Sequence, residues 1–385
     1  MKTRLLHVVP PWNFQGSEQP FLTLATRLDR DRFQPCVLLI GKQIRLATQL
    51  LDAGVEIFHD DQPVRLHLSH IRRIKSLIEE TRPDLIHVWN APQFATHWLA
   101  ALQQRVPVIA SETPAGLPQT TIQRLAKFGL LRRSHGFVVM SPAAGHVRDD
   151  HFDVIPMGID SAAAELPTGT TGDEKEEDTV TRENDSKNPT GDMDGIAFRN
   201  RIETLVGARI AVAINPLVPA TGLKDAIWST DLIKCVRDDF HLLILGAGPQ
   251  RWRLDRFIQQ TRTNDRIHFV KGISATELLA HADLLWQTSR TETDPSIVLL
   301  AMASGVPVVA TDLASHRQLV VDGETGYLIA PGGRADLARR TQLILDDESL
   351  QKHMQAASRE RAKNRFPSQT MIDRYQRLCN SCLQT

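Results

Sequence analysis

Short aliphatic runs alternate with longer amphipathic segments along the first 160 residues of the chain. The short runs are rich in the β-branched and aliphatic residues that favour strands, and the segments between them have helical spacing. Strands that are apolar throughout and separated by helices predict a parallel sheet covered on both faces. The strand candidates are residues 5–9, 35–40, 55–58, 85–88, 106–110, 136–140 and 154–156, and the helix candidates are 18–28, 69–80, 92–103 and 120–130.

The same alternation returns after residue 195 and predicts a second parallel sheet. The last forty residues have helical spacing, with a break expected at Pro367. Ligands of open parallel sheets bind beyond the carboxyl ends of the strands, so we expect a site in a cleft between the two sheets. The strand candidates of this half are residues 210–214, 241–245, 267–270, 284–286 and 306–310.

Residues 163–195 interrupt the pattern with a polar stretch rich in Asp, Glu, Thr and Gly. It contains too few aliphatic residues to offset the entropy of ordering, so we predict that it is disordered. The chain is thereby divided into a first domain at 1–162, a second at 196–360 and a helical segment at 361–385.

Composition and charge narrow the function classes. A chain of 385 residues, 42% hydrophobic and 23% charged, fits two globular domains. Lys plus Arg and Asp plus Glu both number 45, which indicates no nucleic-acid partner. No stretch approaches the ~18 apolar residues of a membrane helix, and the apolar run at the N-terminus is too short for a signal peptide. We therefore expect a cytoplasmic protein with at most peripheral membrane association.

The cysteines favour neither a disulfide framework nor a metal centre. Cys379 and Cys382 have the spacing of half a zinc site, but no second pair or His pair with matching spacing exists. Cys36 and Cys235 are far apart in the chain. We predict no metal site and interpret the C-terminal pair as ordinary cysteines.

Gly16 and Ser17 follow the first strand and open a helix. Gly16 permits close backbone approach, and the amides after it could bind a phosphate. The alternative is a plain turn with Ser17 as the N-cap, which these residues alone favour. Gly246 and Gly248 follow a later strand without the third glycine of a dinucleotide fingerprint, so a dehydrogenase is poorly supported.

A polar loop with Glu292 precedes a short apolar helix that begins near Pro295. Free amides of Ser296, Ile297 and Val298 would direct a positive helix end into the cleft, which suits a diphosphate. The carboxylate of Glu292 could accept hydrogen bonds from sugar hydroxyls. The alternative is an ordinary capped core helix with a solvated Glu292, and these residues alone leave both interpretations open.

Residues 301–311, Ala-Met-Ala-Ser-Gly-Val-Pro-Val-Val-Ala-Thr, resemble the core motif of the GT-B group 1 glycosyltransferases, the retaining family related to glycogen and sucrose synthases. Residues 154–160, 217–222 and 322–328 resemble further motifs of that family in the same order. The resemblance implies an α/β architecture of two doubly wound, Rossmann-like domains that face a central cleft. It also implies that the segment 361–385 packs back toward the first domain.

The resemblance implies transfer of a hexosyl group from a nucleotide diphosphate sugar to a glycan or lipid-linked acceptor, with retention, in polysaccharide or envelope biosynthesis. It assigns Glu292 the catalytic position, in contact with the transferred sugar. No cofactor or metal is required in principle, because helix dipoles and cations can neutralise the leaving diphosphate.

The chain departs from the family at the donor. The family's second glutamate falls on Leu300, and the Arg and Lys of its phosphate loop fall on Pro216 and Thr221. Each lost cation removes charge-assisted hydrogen bonds of roughly 1.5–3 kcal/mol. Lys224 or Arg290 could compensate, or both could be solvated surface charges.

Thr293-Asp294 replaces the family's usual Gly-Phe, and Asp294 adds a negative charge near the expected phosphates. These departures allow an unusual donor, another phosphate clamp, or loss of catalysis. The alternative function is therefore an inactive homologue that binds a sugar or nucleotide as a scaffold.

The acceptor side is expected at the strand ends of the first domain. Glu112 stands where the family often has a histidine, and His87 lies at another strand end with Asn90 beside it. His87 is predicted to line the acceptor pocket; a hydrogen-bonded structural histidine is the alternative.

Overall fold

A computed structural model describes residues 2–11, 18–61, 68–91, 95–112, 133–139, 152–159, 192–205 and 207–384. In these residues the chain forms two separate parallel sheets with helices between the strands, which confirms the predicted fold class.

The first sheet has the strand order β3-β2-β1-β4-β5-β6-β7, and every neighbouring pair is parallel. Its strands are β1 (Thr3–Val9), β2 (Phe33–Ile40), β3 (Glu56–Asp60), β4 (Leu85–Val88), β5 (Val108–Glu112), β6 (Gly136–Val139) and β7 (Phe152–Val154). The helices described with it are α1 (Gln19–Arg27), α2 (Ile44–Asp52), α3 (Leu68–Thr81) and α4 (Ala95–Ala101).

The second sheet has the order β10-β9-β8-β11-β12-β13 and is also parallel. Its strands are β8 (Arg209–Ile214), β9 (Phe240–Leu245), β10 (Ile267–Val270), β11 (Leu284–Gln287), β12 (Val308–Thr311) and β13 (Gly326–Ile329). The helices are α5 (Gly195–Thr204), α6 (Leu223–Lys234), α7 (Arg251–Thr261), α8 (Ala275–Leu279), α9 (Ser296–Ser304), α10 (Ala314–Leu319), α11 (Arg334–Asp346), α12 (Glu348–Arg365) and α13 (Ser368–Gln384).

Most strands of both sheets are apolar on both faces, which favours parallel sheets covered by helices. All six residues of β9 are buried, as are all four of β4 and of β12. Helices on the two faces remove these side chains from water, which stabilises the fold by about 25 cal/mol per Å² of buried apolar surface. The strand β13 is an element that the sequence predicted only as part of a family motif.

The helix α13 lies against the first sheet. Its buried residues Met371, Tyr375, Leu378 and Cys382 recur at helical spacing. Gly136 in β6 leaves room for them, because a β-carbon there would lie 3.1 Å from Leu378. Cys379 and Cys382 are buried free thiols, and burial raises the pKa of each.

Two sequence predictions concern residues that lie wholly or mostly outside the described ranges. The helix predicted at 120–130 and most of the insert at 163–195 lie outside the described residues. At the described end of the insert, Met193 donates its backbone N–H to Phe269, and Asp194 caps α5 through the amide of Ala197. The disorder predicted for 163–195 is therefore wrong for residues 192–195, because these contacts order them against the second sheet.

Two features are absent from the described residues, a metal-binding cluster and a membrane-spanning helix. No group of three or more His, Cys, Asp or Glu is placed to hold a metal ion. No helix in the same residues is long and apolar enough to cross a membrane.

Two histidines occupy the centre of the first sheet. His7 in β1 pairs in register with His87 in β4, and Trp89 donates its indole N–H to Nδ1 of His7 at 3.2 Å. Tyr375 of α13 covers the group, with its ring 5.4 Å from that of His87. Burial lowers the pKa of His7 to about 3 and that of His87 well below its usual value, with His7 as a smaller cause for His87.

These histidines should make the protein acid-sensitive. The unfolded chain binds a proton at each ring near pH 6.5, whereas the folded chain keeps both rings neutral. Above pH 6.5 the two histidines therefore do not reduce the free energy of unfolding. As the pH drops toward 4, this free energy falls by up to about 1.4 kcal/mol per pH unit for each histidine. Urea unfolding at several pH values measures this slope.

The variant His87→Leu should lose one histidine's share of the slope. The matched control is His59→Leu, since His59 is exposed at the end of β3. An unchanged slope in His87→Leu, with the control also unchanged, would contradict the buried-neutral assignment.

Candidate functional site

The loops after β8 and β11 meet at the carboxyl edge of the second sheet. Arg290 donates its backbone N–H to Ala220 at 2.7 Å, and the hydroxyl of Thr288 donates to the carbonyl of Thr221 at 2.9 Å. Gly222 makes this approach feasible: its φ is 65°, and a β-carbon there would lie 2.0 Å from the carbonyl oxygen of Thr288. The two loops thus contact each other directly at the start of α6.

Glu292 is bound to the start of α10. Its two carboxylate oxygens accept the backbone N–H groups of Ala314 at 2.8 Å and Ser315 at 3.0 Å. A helix leaves its first amides without internal partners, and a carboxylate there is stabilised by the helix dipole. The structure thus shows Glu292 as a half-buried cap of α10 at the predicted edge.

Asp294 occupies the start of α9 in a similar way. Its Oδ1 accepts the backbone N–H of Ser296 at 2.9 Å and the hydroxyl of the same residue at 2.5 Å. Asp294 is 2% exposed, and burial raises its pKa to about 6 while the bonds from Ser296 oppose that rise. Of the three amides predicted for a phosphate, that of Ser296 is therefore already bonded within the chain.

The start of α9 also contacts a segment that follows the first sheet. The hydroxyl of Ser296 lies 2.9 Å from the sulfur of Met157. Gly158 beside it packs against α13, because a β-carbon there would lie 2.7 Å from Cα of Ser368. The beginning of α9 is thus held between the two halves of the chain.

Arg290 is paired with a buried carboxylate. Its Nε and Nη2 donate to Oδ2 of Asp225 at 3.0 and 2.7 Å, and Arg334 donates to Oδ1 of the same residue at 2.7 Å. Asp225 is only 3% exposed, whereas both arginine side chains remain partly exposed. Asp225 therefore links the loop after β11 to α6 and α11, and it neutralises part of the charge on Arg290.

Lys224 lies on the outer surface of α6, with its ammonium 5.7 Å from the ring centre of Phe257 in α7. The other replaced positions of the resemblance are internal. Thr221 is buried, and its hydroxyl donates to the carbonyls of Pro216 and Val218. Leu300 is 1% exposed and belongs to the hydrophobic core.

The acceptor-side predictions have different outcomes. The prediction that His87 lines the acceptor pocket is wrong. His87 is 1% exposed, because Tyr375 of α13 covers both His87 and Trp89. Asn90, with φ of 49°, follows β4, and Glu112 ends the neighbouring strand β5, so both lie at the carboxyl edge of the first sheet. Gly16 and Ser17 lie outside the described residues.

Sequence reasoning missed Asp225, Arg334 and His316. His316 of α10 is fully buried, with Nδ1 2.7 Å from the carbonyl oxygen of Thr311, and burial lowers its pKa. The sequence around His316 contains no pattern that distinguishes it from an ordinary helix residue. Asp225 could have been noticed in the sequence, because a carboxylate in the first turn of a helix is stabilised by the helix dipole.

Comparison with protein families gives two matches that divide the chain. The family described as "Glycosyl transferases group 1" matches residues 197–361, and "Glycosyltransferase Family 4" matches residues 14–163.

Curated relatives match over part of their length. The N-acetyl-alpha-D-glucosaminyl L-malate synthase of Bacillus anthracis is 31% identical over 36% of this chain and 36% of that protein. The glycogen synthase of Mycobacterium tuberculosis is 30% identical over 39% of this chain and 37% of that protein. The chain thus spans little more than a third of the length of either relative.

Solved structures match over nearly the whole chain. An Anabaena protein, Alr3699/HepE, in complex with UDP and glucose has a TM-score of 0.76 at 19% identity, over 98% of this chain and 100% of that one. Sucrose-phosphate synthase of Thermosynechococcus elongatus has a TM-score of 0.74 at 13% identity, with both chains fully covered. At this identity the likeness shows a shared fold, the GT-B arrangement of two sheets.

The cap on α10 predicts a stability effect for Glu292 that is independent of any ligand. We expect Glu292→Ala to lower the free energy of unfolding by about 0.5–2 kcal/mol, because two amides lose their acceptor. Glu292→Gln keeps one acceptor oxygen and should lose less. Urea unfolding without ligand measures both, with the exposed Glu324→Ala as control; equal stability of Glu292→Ala and the control would contradict the cap.

Proposed function

The chain belongs to the group 1 glycosyltransferases, and we propose that it transfers a hexosyl group from a nucleoside diphosphate sugar to a glycan or lipid-linked acceptor. We propose further that the anomeric configuration is retained and that the reaction serves polysaccharide or envelope synthesis in the cytoplasm. The observation that carries the proposal is that Glu292, bound to the amides of α10, lies in the loop that leads into the start of α9 at the edge of the second sheet.

The donor would lie at the carboxyl edge of the second sheet. The amides of Ile297 and Val298 belong to the first turn of α9, where a helix has no internal partner for them. Such a helix end attracts a diphosphate through its N–H groups and its dipole. Solved structures of the same fold are described in complex with UDP and with UDP-glucose, which supports a uridine diphosphate donor as the first to test.

Glu292 would contact the transferred sugar. A carboxylate has about four acceptor positions, and the two bonds from α10 leave the others for sugar hydroxyls. The same bonds hold the side chain in one orientation, which avoids part of the entropy cost of positioning it. Glu292 would therefore be oriented by α10 before the donor binds.

The leaving diphosphate would be stabilised mainly by backbone amides. Arg290 shares its charge with Asp225, and Lys224 lies on the outer surface of α6. In this proposal neither a cofactor nor a metal takes part, because preorganised amides stabilise developing negative charge. Asn90 and Glu112, which are 5% and 7% exposed at the edge of the first sheet, are the candidates for contact with the acceptor.

We expect isothermal calorimetry to show binding of UDP-glucose or another nucleotide sugar, and release of nucleotide when an acceptor or water takes the sugar. Glu292→Ala should reduce turnover by at least a hundredfold while nucleotide alone still binds, because Glu292 contacts the sugar and not the nucleotide.

The control is Glu324→Ala, which should keep full turnover. Binding without turnover across a panel of UDP- and GDP-sugars and acceptors would instead identify a binding protein. Unchanged turnover in Glu292→Ala would refute the site assignment.

A further inference from the structure

Asp294 places a carboxylate on the helix end that the proposed donor needs. Its Oδ1 lies 2.9 Å from the amide nitrogen of Ser296, the first residue of α9. The amides of Ile297 and Val298 follow in the same turn. A diphosphate that reached them would bring a second negative charge to within one helical turn of Asp294.

Among the described residues, the helix α9 and the segment that contacts its start carry no positive charge that would relieve that repulsion. The helix α9 has the sequence Ser-Ile-Val-Leu-Leu-Ala-Met-Ala-Ser, and the segment with Met157, residues 155–159, is also uncharged. Both elements are buried where they meet, at Ser296 and Met157. Two like charges in such an environment interact far more strongly than in water.

The charged groups of the neighbouring loop and strand end are engaged with other partners. Arg290 is paired with Asp225, and Glu292 binds the amides of α10. Asp312, after β12, is paired with Arg317. His316 is buried and bonded to the carbonyl of Thr311, so it adds no positive charge near neutral pH.

We propose that Asp294 takes up a proton from solvent when a nucleotide sugar binds at α9, so that this carboxyl sets the affinity for the donor. The inference rests on the proposed function. Proton and donor then favour each other's binding by the same factor, as linkage requires. A protonated Asp294 still accepts the amide of Ser296 through its carbonyl oxygen, so the start of α9 keeps its cap.

The ionisation of the free protein sets the pH range. Burial raises the pKa of Asp294 to about 6, so the carboxyl of the free protein is protonated below that pH and ionised above it. The bound donor raises this pKa further, because a nearby negative charge disfavours ionisation. Donor affinity is therefore greatest below pH 6 and falls by up to about tenfold per pH unit above it.

The test is calorimetry with UDP-glucose at pH 5.5, 6.5 and 7.5, with pH 7.0 repeated in two buffers of different ionisation enthalpy. A sugar ester of a diphosphate has no group that titrates in this range, so proton uptake is assigned to the protein. We expect the dissociation constant to rise at least tenfold from pH 5.5 to 7.5, with uptake of close to one proton at pH 7.0. This measurement uses the unmodified chain and needs no variant.

Asp294→Asn keeps the shape and the acceptor oxygen but cannot ionise. It should bind UDP-glucose about tenfold more tightly at pH 7.5 than the unmodified chain, with no proton uptake and little pH dependence. The control Asp312→Asn changes a partly exposed carboxyl that follows β12, and it should keep the original uptake.

The outcomes separate the two proposals. Donor binding that is independent of pH, or proton uptake that persists in Asp294→Asn, overturns the role of Asp294 and leaves the proposed function intact. Failure of both proteins to bind any nucleotide sugar at any of these pH values overturns the proposed function, and this inference with it.

Discussion

The free amides at the starts of α9 and α10 are the constraint on which the candidate site depends. A buried amide without a partner costs about 1–3 kcal/mol, so each helix end at the carboxyl edge needs an acceptor. The chain supplies both from one loop, with Asp294 for α9 and Glu292 for α10. The loop after β11 is consequently held at two points, and the second sheet carries its own acceptors at the edge where a donor would bind.

That solution has a consequence for the proposed function, because an anionic donor would compete for the same helix ends. Glu292 tolerates the competition, since it caps a different helix from the one that would hold the diphosphate. Asp294 does not, because its carboxylate bonds the first amide of α9 itself. Local stability and ligand affinity are therefore opposed at one residue, a conflict that is expected at functional sites.

Much of the fold could be predicted from the sequence, because a parallel sheet requires strands that are apolar throughout and β9 or β12 show this without structural information. The acceptor for α10 could not be predicted, since Glu292 and Ala314 are separated by 22 residues. Asp225 lies 65 positions from Arg290 and 109 from Arg334, so only the folded chain brings them together. The interpretation of His87 failed because a polar residue at a strand end does not reveal which element covers it.

The positions where the family has its phosphate-binding cations do not form an open, cationic site in this chain. Thr221 donates to carbonyls of its own loop, and Leu300 packs in the core, so both positions have been absorbed into the fold. Arg290 and Lys224 are held by Asp225 and by the ring of Phe257. In the proposed function, affinity for a diphosphate at this edge would therefore depend on backbone amides, whose orientation is fixed by helix geometry. When the nearby side-chain cations are paired with other groups, the charge of a single carboxyl such as Asp294 has a larger effect on the affinity for an anion.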